Sequence, residues 1–550
     1  MNWKSRKAIL CGFILTGCIV CQFGFGLEED YYDIGGLNRT VTTGSDEAQA
    51  WFNRGLAMCY GFNHEEAVRC FEKAIQADPR MVMGYWGMAY ALGPNINYVD
   101  VPAHQITEGA LCLKLAELHG KNATQLERDL VKALSLRHAV PLPEDRHPLN
   151  VAYSEAMRKI YNEHQDDPLV AALFAESLMN LRPWKHWSPE GEPAPETPEI
   201  LSVIEKAREK HPGYPALCHL YIHATEASPN PGRALPAANA LRFAMPGSGH
   251  LLHMPSHIDV LVGDYKEVIE SNQRGIAADN EFLKREGPGN FYSLYRIHNY
   301  HFLVYGAMFD GQSDLAMEAA RAIPNQVPEG MIKDLVDFLD AFMPTHLHVM
   351  VRFGQWEEIL MEPAPKDYLP MSQSIWHYAR GLAHAALGHV NEAEVEYAAF
   401  VSARAKVPES SVLFNNTCAD ILGVAERMLA GEIAYRKGEH DVAYGILREA
   451  VKRDDALNYD EPWGWMQPAR HALGALLLEQ GHAADAESVY VADLKRHPNN
   501  VWALHGLAEA LALQGKSLEA EAARKQFSRA VVRADVKVDR SCYCRLDVSD

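Results

Sequence analysis

The sequence predicts an all-α chain built as a solenoid of stacked helical hairpins, and three observations predict it. Residues 51–79, WFNRGLAMCYGFNHEEAVRCFEKAIQADP, carry apolar side chains at helical spacing on both sides of a short turn at residues 61–63, and Pro79 stops the second helix. The same pattern returns in LGALLLEQGHAADAESVYVADLKRHP, residues 473–498, with Gly481 at the turn and Pro498 at the end. Between these stretches no segment alternates apolar and polar residues convincingly enough to read as a strand.

From the N-terminus, residues 1–26 read as a signal peptide. Lys4, Arg6 and Lys7 precede the apolar run AILCGFILTGCIVC, and Gly24-Phe25-Gly26 offers a small-x-small cleavage site. This predicts a secreted or periplasmic chain with residues 27–45 as an N-terminal extension. LTGC, ending at Cys18, supports the alternative of a lipid-anchored protein. No apolar run after the leader reaches membrane-spanning length. A composition of 48% hydrophobic and 23% charged residues is globular, and the net charge of -20 argues against nucleic acid and anionic membrane surfaces as partners.

In the first hairpin Ala67, Phe71 and Ala74 share a face of the second helix. The small residues let paired helices approach, and Phe71 fills the gap between hairpins. The unit resembles a tetratricopeptide repeat, a helix-turn-helix of about 34 residues. Ala486 and Tyr490 take the equivalent places near the other end. Weaker hairpins around Gly263, Gly311, Gly354, Gly388 and Gly438 extend the series over residues 46–533, roughly ten to twelve hairpins in all. Two insertions interrupt it: SPEGEPAPETP at 188–198, which follows Trp184 and Trp187, and KREGPGN at 284–290. Cys59, Cys70, Cys112, Cys218 and Cys418 stand singly in helical patterns and read as buried small apolar residues. Cys542 and Cys544 form a CxC in the C-terminal tail, 534–550, which reads as a frayed end; oxidative pairing or metal binding are the alternatives.

The blocks YGFNHEEAVRCFEKA, GPNIN, LRPWKHW, HLYIHATEASPNPGRALP, SGHLLHMPSHI, HNYHFL and EPWGWMQPARHALGALLLEQG, in this order, make the chain similar to a set of large, mostly bacterial tetratricopeptide proteins. The resemblance spans nearly all of the chain beyond the leader and implies a helical-repeat fold.

In such arrays the first helix of each hairpin lines the concave face, with inward positions three and four residues apart. The register follows from Gly and Pro alone. Pro246 and Gly263 put His250, His253 and His257 on the inward stripe; Pro212 puts His219, His223 and Glu226 there; Gly311 puts His298 and His301 there. Seven of the 25 histidines thus gather on three successive helices. Pro255 is expected to kink its helix. His348, His471 and His505 fall on inward positions of later hairpins.

Neutral imidazole is the commonest transition-metal ligand, and a carboxylate often completes the shell. The stripe holds no Cys, which disfavours a thiolate structural zinc site. The expectation is therefore a transition metal ion (zinc, copper or iron) in a His-rich concave pocket, in a metalloenzyme acting on a small-molecule substrate. The rival is a noncatalytic scaffold whose concave groove binds a peptide or partner protein. Trp184, Trp187 and the patch DEPWGW at 460–465 are candidates either to border that pocket or to anchor loops. HExxH, GxSxG, Walker and dinucleotide motifs are all missing.

Overall fold

The computed structural model describes residues 31–546; the leader, including Cys18, lies outside them. The described residues are helical apart from loops and one two-stranded antiparallel ribbon, Val412–Leu413 with Asn416–Thr417. Among them no helix is long and apolar enough to cross a membrane. They fall into two compact units. One runs to Ser188 and adds Pro193–Ala224 and Phe243–Ser248; the other comprises Pro189–Glu192, Thr225–Arg242 and the chain from Gly249 onward.

The first unit opens with the hairpin Asp46–Tyr60 and His64–Ala77. Ser45 and Asn63 cap the two helices, their side chains accepting the backbone N–H groups of Ala48 and Glu66. Phe71 is fully buried, and the reason lies in two glycines. A β-carbon at Gly55 would stand 2.7 Å from the Phe71 ring, and one at Gly87, on the next helix Val82–Ala91, would stand 2.3 Å from it. The ring thus fits a slot that any side chain would close. The predicted counterpart exists in the second unit, where Tyr490 sits between Gly474 and Gly506 at 2.5 and 2.2 Å by the same measure.

Successive hairpins build the second unit, from Pro255–Val262 with Tyr265–Glu286 to Val501–Leu513 with Ser517–Ala530. The turn glycines read from sequence behave as required: Gly263 and Gly311 adopt φ of 76° and 79°, a left-handed conformation that ends the first helix without a β-carbon clash. The five single cysteines are buried thiols, as expected. The tail differs from expectation. Cys542 and Cys544 are bonded to each other, and residues 535–546 lie docked on the second unit through side-chain and backbone hydrogen bonds. A CxC near a chain end looks frayed only because its partners are remote in sequence.

Candidate metal centre

Pro255 breaks its helix as predicted, giving Gly249–His253 and Pro255–Val262. His253 and His257 remain one turn apart across the break and meet His298, from the helix Ser293–Asp310. The three residues are 0%, 2% and 9% exposed, so whatever their nitrogens hold is held out of water. One donor nitrogen from each lies within 4.8 Å of those of the other two.

The neighbours of these rings decide which nitrogen faces inward. His253 Nδ1 is 2.7 Å from the side-chain oxygen of Asn272, whose amide nitrogen donates to the Val268 carbonyl at 2.8 Å. That second bond points the amide oxygen at the ring, so Nδ1 carries the hydrogen and Nε2 presents its lone pair. His257 Nδ1 is 2.8 Å from Oε2 of both Glu226 and Glu461. A carboxylate accepts, so this nitrogen donates, and Nε2 faces away from its anchor as the position that a proton or a metal ion takes. The two Nε2 atoms face one another at 2.7 Å. Two lone pairs at that separation need a cation or a proton between them. Burial opposes charge on the His257 ring, but Glu461 and Glu226 outweigh it and raise its pKa to about 10. Burial, with the Glu461 charge added, pushes the Glu226 carboxyl well up. The donor set suits a metal ion: soft-to-borderline nitrogens turned inward, with carboxylates fixing one ring from behind.

Glu461 is the site residue that the histidine register alone did not single out. It is placed by its neighbour Asp460, which accepts from the Asn415 backbone N–H at 2.9 Å and the Asn416 amide at 2.6 Å. Asn416 in turn accepts from the Asn458 backbone at 2.8 Å. The two-stranded ribbon therefore carries Glu461 to His257, while Phe414 at its tip packs against the His298 ring, 5.1 Å between centroids. The DEPWGW patch was the available signal. Its Trp463 and Trp465 anchor rather than border: Trp463 stacks on Tyr305, and Trp465 packs against Tyr378 and His348.

In the first unit His219 and His223 repeat the arrangement on the helix Pro215–Thr225. Their Nε2 atoms face one another at 3.0 Å, and His219 Nδ1 donates to the Tyr60 carbonyl at 2.8 Å. Phe62 covers both rings, and Trp184 meets His223 edge-on at 5.5 Å while its indole N–H donates to the Ile96 carbonyl. His250 stacks on His253 at 6.0 Å and packs on Tyr295 at 4.7 Å, and its backbone N–H donates to the Tyr292 hydroxyl.

His301 takes a different neighbourhood. Its ring packs on Phe342 at 5.2 Å, and it is not among the described residues that bring ligand atoms together in threes. Three residues along a helix rotate the side chain by about 60°, enough to send His298 and His301 to different neighbours. Burial, reinforced by His348, lowers the His301 pKa to about 3; burial, with His346, does the same to His348. His471 is committed elsewhere: Nε2 donates to Asp493 and Nδ1 accepts from Arg352, both at 2.9 Å.

The fold is that of a helical-repeat protein containing a tetratricopeptide repeat. Residues 48–81 match the Tetratricopeptide repeat family model. No curated protein matches the chain. Similar solved structures include the human IFIT1 dimer with m7Gppp-AAAA, at 12% identity and TM-score 0.30, covering 90% of this chain and 92% of that one. A Rap protein complexed with Competence and Sporulation Factor aligns at 10% identity and TM-score 0.31, covering 88% and 98%. Yeast Tom70 aligns at 12% identity and TM-score 0.27, covering 89% and 91%. Likeness at these scores carries nothing about ligands over to this chain.

Proposed function

We propose that the chain is a metal-binding protein whose centre is His253, His257 and His298, holding one transition metal ion (zinc, copper or iron) through imidazole nitrogens. The observation that supports this most directly is the opposed pair of Nε2 atoms, each turned inward by an oxygen behind its ring. Two nitrogens on a tetrahedral ion with bonds of about 2.05 Å stand about 3.3 Å apart, so the rings separate by a few tenths of an ångström on loading. Asn272, Glu226 and Glu461 act as the outer shell that fixes tautomer and ring angle. The His219 and His223 pair has the same inward-facing geometry and is proposed as a further metal-binding element.

Three imidazoles leave a coordination position open on a four-coordinate ion. That is the arrangement a metal-dependent enzyme acting on a small substrate uses, with the ion activating water or polarising a carbonyl. The second reading, a scaffold binding a peptide or protein partner without chemistry, is favoured by the repeat fold itself. Elemental analysis of the purified protein separates the two. A stoichiometric transition metal that disappears in a His253→Ala/His257→Ala variant supports the centre; a folded, metal-free protein that takes up no added zinc, copper or iron sinks it. We further propose export, with residues 1–26 removed or Cys18 lipidated, which the mass of the mature N-terminus decides.

A further inference from the structure

The last described residues do not behave as a tail. Asp535 caps the helix Ser313–Ala322, accepting the backbone N–H groups of Ser313 and Asp314 at 2.6 and 3.0 Å. The Ser541 hydroxyl donates to the His471 carbonyl at 2.9 Å and meets the Tyr490 hydroxyl at 2.5 Å, while Arg352 donates to the Ser541 carbonyl. Arg436 donates to the Cys544 carbonyl, Arg545 forms a two-pronged pair with Glu509 at 2.8 Å, and the Leu546 N–H donates to Glu479 at 2.9 Å. Repeat side chains thus hold this segment at its backbone carbonyls and N–H groups, around a turn at residues 543–544 that the Arg545 N–H closes by donating to the Cys542 carbonyl at 3.1 Å. Beneath it lies a cavity of about 30 Å³, room for a water molecule, bordered by Arg352, Tyr378, Glu432, His471 and the two cysteines.

The Cys542–Cys544 bond sits between the two groups of anchors. Together with that turn bond it holds the two Cα atoms 5.1 Å apart, whereas two residues of extended chain span about 7 Å. With the disulfide open, only the turn bond opposes lengthening of the path from Cys542 to Cys544 by about 2 Å, far more than a hydrogen bond tolerates. Cys542 is only half-buried, while Cys544 is 5% exposed and belongs to the core. Attack is therefore directed to one sulfur.

We infer that residues 535–546 are a redox-latched strap over the groove bordered by Arg352, Tyr378, Glu432 and His471, and that a dithiol reductant releases it. One thiolate of the reductant attacks the Cys542 sulfur, and Cys544 leaves as a thiolate and takes a proton. The second reductant thiol then displaces Cys542, which is also protonated, as the reductant closes its own disulfide. Two electrons and two protons pass to the chain, and the released strap uncovers a groove with an arginine, a glutamate and a histidine along it.

Hydrogen exchange followed by mass spectrometry on the full chain tests this, comparing oxidised protein, protein reduced with dithiothreitol, and a Cys542→Ser/Cys544→Ser variant. The variant needs no dithiol, so metal chelation by the reductant is kept apart. Amides of residues 541–546 are expected to exchange about tenfold faster in the reduced and serine forms. Trypsin is expected to cut first at Arg540 and Arg545, the hairpins keep their protection, and reoxidation restores the wild-type pattern. Unchanged protection after two additional thiols have been counted overturns the proposal. So does native protein that already carries Cys542 and Cys544 as thiols with the strap protected.

Discussion

Replacing Asn272 by leucine removes the oxygen that holds His253 Nδ1–H and leaves a similar volume. In the native protein that oxygen lies 2.7 Å from the ring, and its orientation is guaranteed by the amide bond to the Val268 carbonyl. Two costs follow, and they read out separately. Without an ion, the buried His253 ring N–H loses its acceptor, which costs about 1–3 kcal/mol, while the Val268 carbonyl keeps its helical backbone partner. A ring free to swap tautomer presents Nε2–H inward part of the time, so affinity falls by about ten- to a hundredfold, or about 1.4–2.7 kcal/mol. Competition with a chromophoric zinc chelator measures the second quantity, and urea unfolding of metal-free protein measures the first. His253→Ala serves as the reference for loss of a ligand. If Asn272→Leu chelates zinc within about twofold of wild type while His253→Ala does not, the outer shell does not choose the inward nitrogen and the reasoning is refuted.

Glu226 and Glu461 share one donor, so either alone can anchor it. Glu226→Gln and Glu461→Gln are each expected to weaken zinc binding less than threefold, and the double variant by more than the product of the singles; additive effects in the same competition assay count against a shared anchor. Gly506→Ala should destabilise by about 1–3 kcal/mol, because its new carbon stands 2.2 Å from the Tyr490 ring and outweighs alanine's better helix propensity; denaturant midpoints decide it. His301 and His348 titrate at about 3 when folded and near 6.5 when unfolded. Their contribution to stability is present above pH 6.5 and is lost as pH falls toward 3, at up to about 1.4 kcal/mol per pH unit for each ring. His348→Phe should flatten the fall in urea midpoint between pH 7 and pH 4.5, and an unchanged slope would show that these rings are not the acid-sensitive groups.

Much of the fold was legible because its signals are local. Gly263 and Gly311 announce turns whatever surrounds them, and Phe71 and Tyr490 recur at the same place in a repeat. The register set by Pro246, Gly263 and Gly311 puts His253, His257 and His298 on one inward stripe, where the three rings do meet, and Pro255 marks the break. Glu461 could not be placed in that way. Its position depends on Asn415 and Asn416, which cage the residue beside it, and on a two-residue ribbon too short to produce a pattern. The strap was hidden for a similar reason, since Arg352 and Arg436 hold it from more than a hundred residues away. His301 shares a stripe with His298 by spacing, but the helix is packed on more than one side, and spacing does not say which neighbour each ring meets.

The glycine slots have a consequence for how this chain can drift. Phe71 interlocks with bare backbone on two different helices, at Gly55 and Gly87, so no one of the three positions can change size while the others stay as they are. Viable variants should alter them as a triplet, and a library randomised at residues 55, 71 and 87 should return linked solutions rather than independent ones.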